Sequence, residues 1–153
     1  MLLISVMSTL SLAFAQVLPG QTLNIYTWTD KSGYLPGEKG TLRMIIRNDR
    51  TDVDLILQNI TLLFPWFAYT GGTYDGNYTV KPASQILNKN GGNVYSTSVD
   101  FTVPSDGRII APIGSQIQNI DIRIFVDKAP LVYDTTARIY VKSTSMYSFS
   151  RIP

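Results

Sequence analysis

Residues 59–78 read NITLLFPWFAYTGGTYDGNY, the densest apolar and aromatic run in the chain. Ile60, Leu62 and Phe64 alternate with Asn59, Thr61 and Leu63, the period of two expected of a strand with one face against a core. After Pro65 the character changes. Proline removes a backbone donor, Trp66, Phe67 and Tyr69 crowd together, and Gly71-Gly72 lets the chain turn before Tyr74 and the hairpin signal Asp75-Gly76. The first half, through Phe64 and Trp66, is therefore assigned to the core. The second half, from Phe67 to Tyr78, is expected to be a contact surface, since tyrosine suits half-wet interfaces.

The same period recurs on either side. Leu55 and Leu57 carry the opposite parity to Ile60, which predicts a bulge near Gln58. Residues 22–29 (TLNIYTWT) alternate Leu23 and Ile25 with Asn24, Tyr26 and Trp28, and residues 41–48 (TLRMIIRN) set Leu42, Met44 and Ile46 against Arg43 and Arg47. Downstream, residues 94–104 place Val99, Phe101 and Val103 inward before Pro104. Residues 119–127 (NIDIRIFVD) form the most regular strand, and residues 136–142 (TARIYVK) repeat its pattern. The only helix signal is one turn at 83–87, and Pro112 and Gly114 break 109–118 into an edge or a crossing between sheets. Seven to nine mostly antiparallel strands, punctuated by Gly, Pro and Asn, predict an all-β, immunoglobulin-like β-sandwich, with a barrel as the alternative.

At 153 residues the chain is one domain long. Residues 1–15 (MLLISVMSTLSLAFA) are apolar and uncharged and end in a small-x-small pattern. They are expected to be a signal peptide or an N-terminal anchor, followed by a single β-sandwich domain over 16–153. No Lys or Arg precedes the apolar run, so a truncated start, a retained anchor helix and a plain core element stay open. Membrane attachment is expected only if that segment is retained.

Charged residues make up 16% of the chain, low for a soluble protein, and the net charge of +2 is spread without a basic cluster. Nucleic acid is therefore not an expected partner. The chain has no cysteine and no histidine, which removes disulfides, thiolate nucleophiles, zinc-thiolate sites and the commonest general base. With a single glutamate, Glu38, and few ion pairs to lose, the fold is expected to tolerate acid.

PGEKGTLRMIIRND (36–49) followed by QNITLLFPW (58–66) resembles the Pro-Gly-x-x-Gly-strand-Asn opening of immunoglobulin-like modules on archaeal cell-surface and secreted proteins, including surface-filament subunits and archaellum accessory domains. The resemblance covers residues 35–78 and implies extracellular assembly or anchoring. It carries over no functional residue.

Asp49, Asp52 and Asp54 alternate in a turn that could hold Ca²⁺, but Arg50 sits among them and the glycine of an EF-type loop is missing, so an ordinary hairpin turn is expected and no metal site. Acids lie mainly in turns or opposite bases on outward faces, no cleft pair for glycoside hydrolysis stands out, and neither an enzyme activity nor a cofactor is expected. Asn59 and Asn77 begin N-glycosylation sequons, no more than chance supplies. Trp28, Trp66, Tyr69, Tyr74 and Tyr78 are the candidates for stacking sugar rings. The expected function is thus a structural or adhesive protein at the cell surface. It would associate with itself or another surface protein through edge strands and Phe67, Tyr69, Tyr74, Tyr78 and Trp28, with 16–29 and 143–153 as extended donors. The alternative is a carbohydrate-binding module that takes glycans on exposed Trp and Tyr.

Overall fold

The computed structural model describes residues 22–66, 69–70, 73–74, 78–107, 109 and 116–142, with the backbone alone at 69–70, 73–74 and 116. In chain order the strands are β1 (Leu23–Thr29), β2 (Lys39–Asn48), β3 (Leu55–Leu63), β4 (Tyr69–Thr70), β5 (Thr73–Tyr74), β6 (Tyr78–Val80), β7 (Gln85–Leu87), β8 (Val94–Thr102), β9 (Gln116–Val126) and β10 (Val132–Val141). They form an antiparallel sheet in the order β1-β2-β8 and a second in the order β10-β9-β3-β6, with β7 pairing the other half of β3. The chain is a β-sandwich rather than a closed barrel. The short pair β4-β5 stands apart.

Alternation builds the core as the period predicts. Leu42, Met44 and Ile46 of β2 and Val99 and Phe101 of β8 are buried on one inner face. Facing them are Leu55, Leu57, Ile60 and Leu62 of β3, Ile120, Ile122, Ile124 and Val126 of β9, and Ala137, Ile139 and Val141 of β10. The register between β3 and β9 shifts between Leu57 and Asn59, so the bulge expected at Gln58 is present and keeps both Leu57 and Ile60 inside. β9 begins at Gln116, three residues before the regular pattern does.

Two expectations are corrected. Residues 83–87 hold no helical turn: Gln85–Leu87 is a strand that pairs Leu55–Leu57, and a 3-10 turn follows at Lys89–Gly91. Pairing at the edge of the sheet, with Leu87 inserted in the core, outweighs a weak local preference. Nor is the Asp-rich turn a hairpin, because β2 and β3 lie in different sheets and residues 49–54 cross between them.

That crossing is held by two buried polar side chains. Asn48 Nδ2 donates to Val53 O (3.0 Å) and Leu87 O (2.9 Å), while its Oδ1 accepts from Arg50 N (3.1 Å). Arg50 forks onto Asp52 through Nε (2.9 Å) and Nη2 (2.6 Å), and its Nη1 donates to Ala129 O (2.6 Å), tying the turn to the β9–β10 connection. The three aspartates diverge: Asp49 pairs with Arg47, Asp52 with Arg50, and Asp54 Oδ1 accepts from Lys89 N. Arg50 holds Asp52 down to about 2.

Arg47, Lys31 and the main chain of Ile56 likewise lower Asp49, Glu38 and Asp127, respectively. Carboxyls depressed in the folded state contribute stability above their unfolded range, near pH 4, and lose it as pH falls through the folded values. Thermal stability is therefore expected to stay level from pH 8 to about 5, where no histidine titrates, and to decline from about pH 4 to 2. A circular-dichroism melt at each pH measures this; a steep loss already complete at pH 5 would contradict the ion-pair account.

Candidate interaction surface

β1 is an edge strand: among the described residues it pairs with β2 alone. Asp49 N donates to Thr22 O and Asp30 N to Thr41 O, both at 3.1 Å, and these bonds bracket the strand. Because main-chain groups alternate sides in an antiparallel ladder, the even-numbered residues bond β2. Leu23, Ile25, Thr27 and Thr29 consequently direct their N–H and C=O groups to the free edge. The strand, LNIYTWT, contains no charge, proline or glycine, so it lacks the side chains by which proteins ordinarily discourage strand addition.

The edge of β10 is different. Tyr34 N donates to Tyr140 O and Lys142 N to Tyr34 O, both at 2.8 Å, which covers one end of that strand. Asp134 and Arg138 stand on the uncovered part.

Tyr26 and Trp28 project from the outer face of β1, 50% and 45% exposed. The register aligns Tyr26 with Ile45 and Ser96, and Trp28 with Arg43 and Ser98. The small serines of β8 leave an open groove of about 450 Å³ bordered by Trp28, Arg43, Ile45, Ser96 and Ser98. An aromatic plane, a guanidinium and hydroxyls can together hold a strand's side chains or a sugar face.

A second depression, of about 520 Å³, opens at the end of the sandwich between Lys31, Lys39, Thr41, Tyr78 and Asp100. Asp30 in its lining is held by the buried Tyr34, whose hydroxyl donates to Asp30 Oδ1 (2.6 Å), the same oxygen that accepts from Thr41 N (2.7 Å). Those two bonds, Tyr34's first, pull Asp30 below the usual carboxylate range, and burial pushes the Tyr34 phenol up. Thr41 Oγ1 donates to Asp100 Oδ1 at 2.7 Å. Asp30, Glu38, Asp49, Asp52 and Asp127 are all shifted downward, which suits ion pairing and hydrogen bonding.

The structure divides the expected site residues. Trp28 is on the surface, and Tyr78 sits at the rim of the end cleft, 40% exposed, with its ring edge-on to Phe64 at 5.4 Å. Trp66 and Phe64 are in the core, 5.2 Å apart, which removes Trp66 from the sugar-stacking candidates. Tyr69 and Tyr74 are backbone partners in the β4–β5 pair, while their side chains, Phe67 and Asn77 lie outside the described residues, as do 1–21 and 143–153. Asn59 is half-buried opposite Phe125 on the bulged strand. Tyr26 was not among the expected surface aromatics, although it shares the parity of Trp28 in a stretch without charge and is as exposed. Among the described residues, no helix is long and apolar enough to cross a membrane.

No protein-family model and no curated protein matches the chain. Solved structures do. The sporulation control protein Spo0M from Bacillus subtilis is similar at 15% identity with a TM-score of 0.54, over 79% of this chain and 49% of that one. A protein described as late embryogenesis abundant aligns at 13% identity with a TM-score of 0.48, over 82% of this chain and 72% of that one. The chain spans about half the length of the Spo0M chain, and at such identity the likeness to Spo0M is one of fold.

Proposed function

We propose that this chain is an extracellular structural or adhesive domain, an immunoglobulin-like sandwich that joins cell-surface assemblies by accepting a strand along the free edge of β1. The uncharged edge, unpaired among the described residues and flanked by Tyr26 and Trp28, carries this reading. Main-chain groups of Leu23, Ile25, Thr27 and Thr29 supply the hydrogen bonds, and the two rings cover the added strand's outer side chains. Tyr78 at the rim, with Phe67, Tyr69 and Tyr74, extends the contact surface in this reading, and Asn59 and Asn77 are its candidate glycan attachment points.

Thr27→Pro tests it. The N–H removed faces away from β2, so the ladder within the sheet is untouched while an added strand loses a donor. The variant is expected to keep its circular-dichroism spectrum and to lose association in light scattering and electron microscopy. A native protein that stays monomeric and binds no cell-surface protein would overturn the proposal.

The groove beside Trp28 favours a second reading, a carbohydrate-binding module that stacks a sugar ring on Trp28 with Arg43 and Ser98 as polar contacts. Under that reading Trp28→Ala lowers binding on a glycan array roughly tenfold, the loss of one stacking contact of about 1.4 kcal/mol, and Thr27→Pro leaves binding intact.

A further inference from the structure

We propose that the groove on the outer face of β1-β2-β8 takes an acidic sugar, a uronic acid residue of a polysaccharide, with Arg43 forked onto its carboxylate. This rests on the carbohydrate reading above and names the class of its ligand. Arg43 stands exposed on the middle strand of the sheet, and among the described residues its side chain makes no ion pair and no hydrogen bond. The next two arginines along the chain each fork onto a carboxylate, Arg47 onto Asp49 through Nε (2.6 Å) and Nη2 (2.8 Å), and Arg50 onto Asp52. Arg43 has the same fork and no acid to fill it. The acid nearest in register, Asp100, lies two positions along β8 from Ser98 and accepts from Thr41 Oγ1 instead, at 2.7 Å. Among the described residues, no carboxylate borders the groove.

The placement suits a ring with one charged substituent. Register sets Trp28, Arg43 and Ser98 in one row across the three strands, a span of about 10 Å at Cα. Trp28 supplies an apolar plane for the face of the ring, and Ser98 a hydroxyl on the far side. Between them the planar guanidinium presents two parallel N–H groups that match the two oxygens of a carboxylate. Tyr26, in the next row with Ile45 and Ser96, offers a second plane about 7 Å along β1 for a neighbouring ring. A neutral ring laid over the groove strips water from the guanidinium and returns no counter-charge. A carboxylate replaces that water with charge-assisted bonds. A nucleic-acid strand fits less well, since its successive phosphates ask for a track of cations and Arg43 is the one cation among the described residues of the groove.

Ligands that differ only in charge decide the matter. The native protein is titrated calorimetrically with oligomers of galacturonate, glucuronate and guluronate, each beside its own methyl ester, and screened on an array of neutral and sulfated glycans. At least one acid is expected to bind about tenfold more tightly than its ester, and the difference is expected to shrink as salt is raised toward about 1 M. Arg43→Gln is expected to erase the difference, leaving the acid at the ester's affinity, and Trp28→Ala to weaken acid and ester alike. Both side chains are exposed, so circular dichroism is expected to stay unchanged. Acid and ester bound equally, or a neutral glycan bound through Trp28 with no acid bound, would overturn the acidic ligand and leave the carbohydrate reading standing. A preference for acid that survives Arg43→Gln would overturn the site. Sulfated glycans or a single-stranded oligonucleotide bound more tightly than every uronate would overturn the uronic acid. No glycan bound at all would overturn both readings.

Discussion

Gly40→Ala is expected to destabilise the fold by about 3 kcal/mol, the upper end for an overpacked core, and to lower the melting temperature by roughly 10 °C. A Cβ at this position would lie 2.4 Å from Tyr34 Cε1 and 2.5 Å from Phe101 Cζ, far inside contact distance. Neither ring can step aside. Tyr34 is fixed by its hydroxyl on Asp30 and by main-chain bonds to β10, and Phe101 is wedged edge-on to Tyr34 (5.1 Å) with Phe64 on another side (5.7 Å). The glycine is needed for close approach rather than for unusual backbone angles. Gly33→Ala is the control: there the nearest atom is the flexible Lys142 Cε at 2.9 Å, so urea unfolding is expected to move little. Equal losses at the two positions would show that the aromatic cluster is not rigid.

Asn48→Leu is expected to cost about 3–5 kcal/mol, because three main-chain groups, two of them in buried bonds and one part-buried, lose their partner at once and each unsatisfied group costs about 1–3 kcal/mol. The groups are Val53 O, Leu87 O and Arg50 N, and they belong to the crossing turn, to β7 and to the segment that seats Arg50. Leucine keeps the γ-branched outline of asparagine but is bulkier, so some overpacking adds to the loss of the hydrogen bonds. Urea midpoints give the magnitude. A loss under 1 kcal/mol would mean that the turn re-pairs its own main chain.

Much of the fold was legible because burial imposes a period on strands. Leu42, Met44 and Ile46, or Ile120, Ile122 and Ile124, declare their inward face without reference to any partner. The bulge at Gln58 was legible for the same reason, as a break in that parity. What the period could not reveal is pairing over distance. Residues 49–54 look like a hairpin because the sequence cannot show that β2 and β3 enter different sheets, and Arg50 among aspartates looks like a solvated turn because only the fold brings Ala129 O within reach.

Tyr34 was invisible between two turn signals, since a single bridging residue has no period at all. The division of the aromatic run was legible in its first half: Phe64 and Trp66, assigned to the core, pack on Phe101. Parity in TLNIYTWT likewise declares which of its aromatics are exposed, Tyr26 and Trp28.

The bridge from Tyr34 to Val141 also bears on how the chain folds. It joins residues near opposite ends of the described chain, so its loop is among the costliest to close. Of the described strands, β1 and β2 emerge first during synthesis and β10, which lies beside β1, emerges last. For that interval the inner faces of β1 and β2 lack the sheet that covers them, a window in which newly made chains at high concentration can meet each other before they finish themselves.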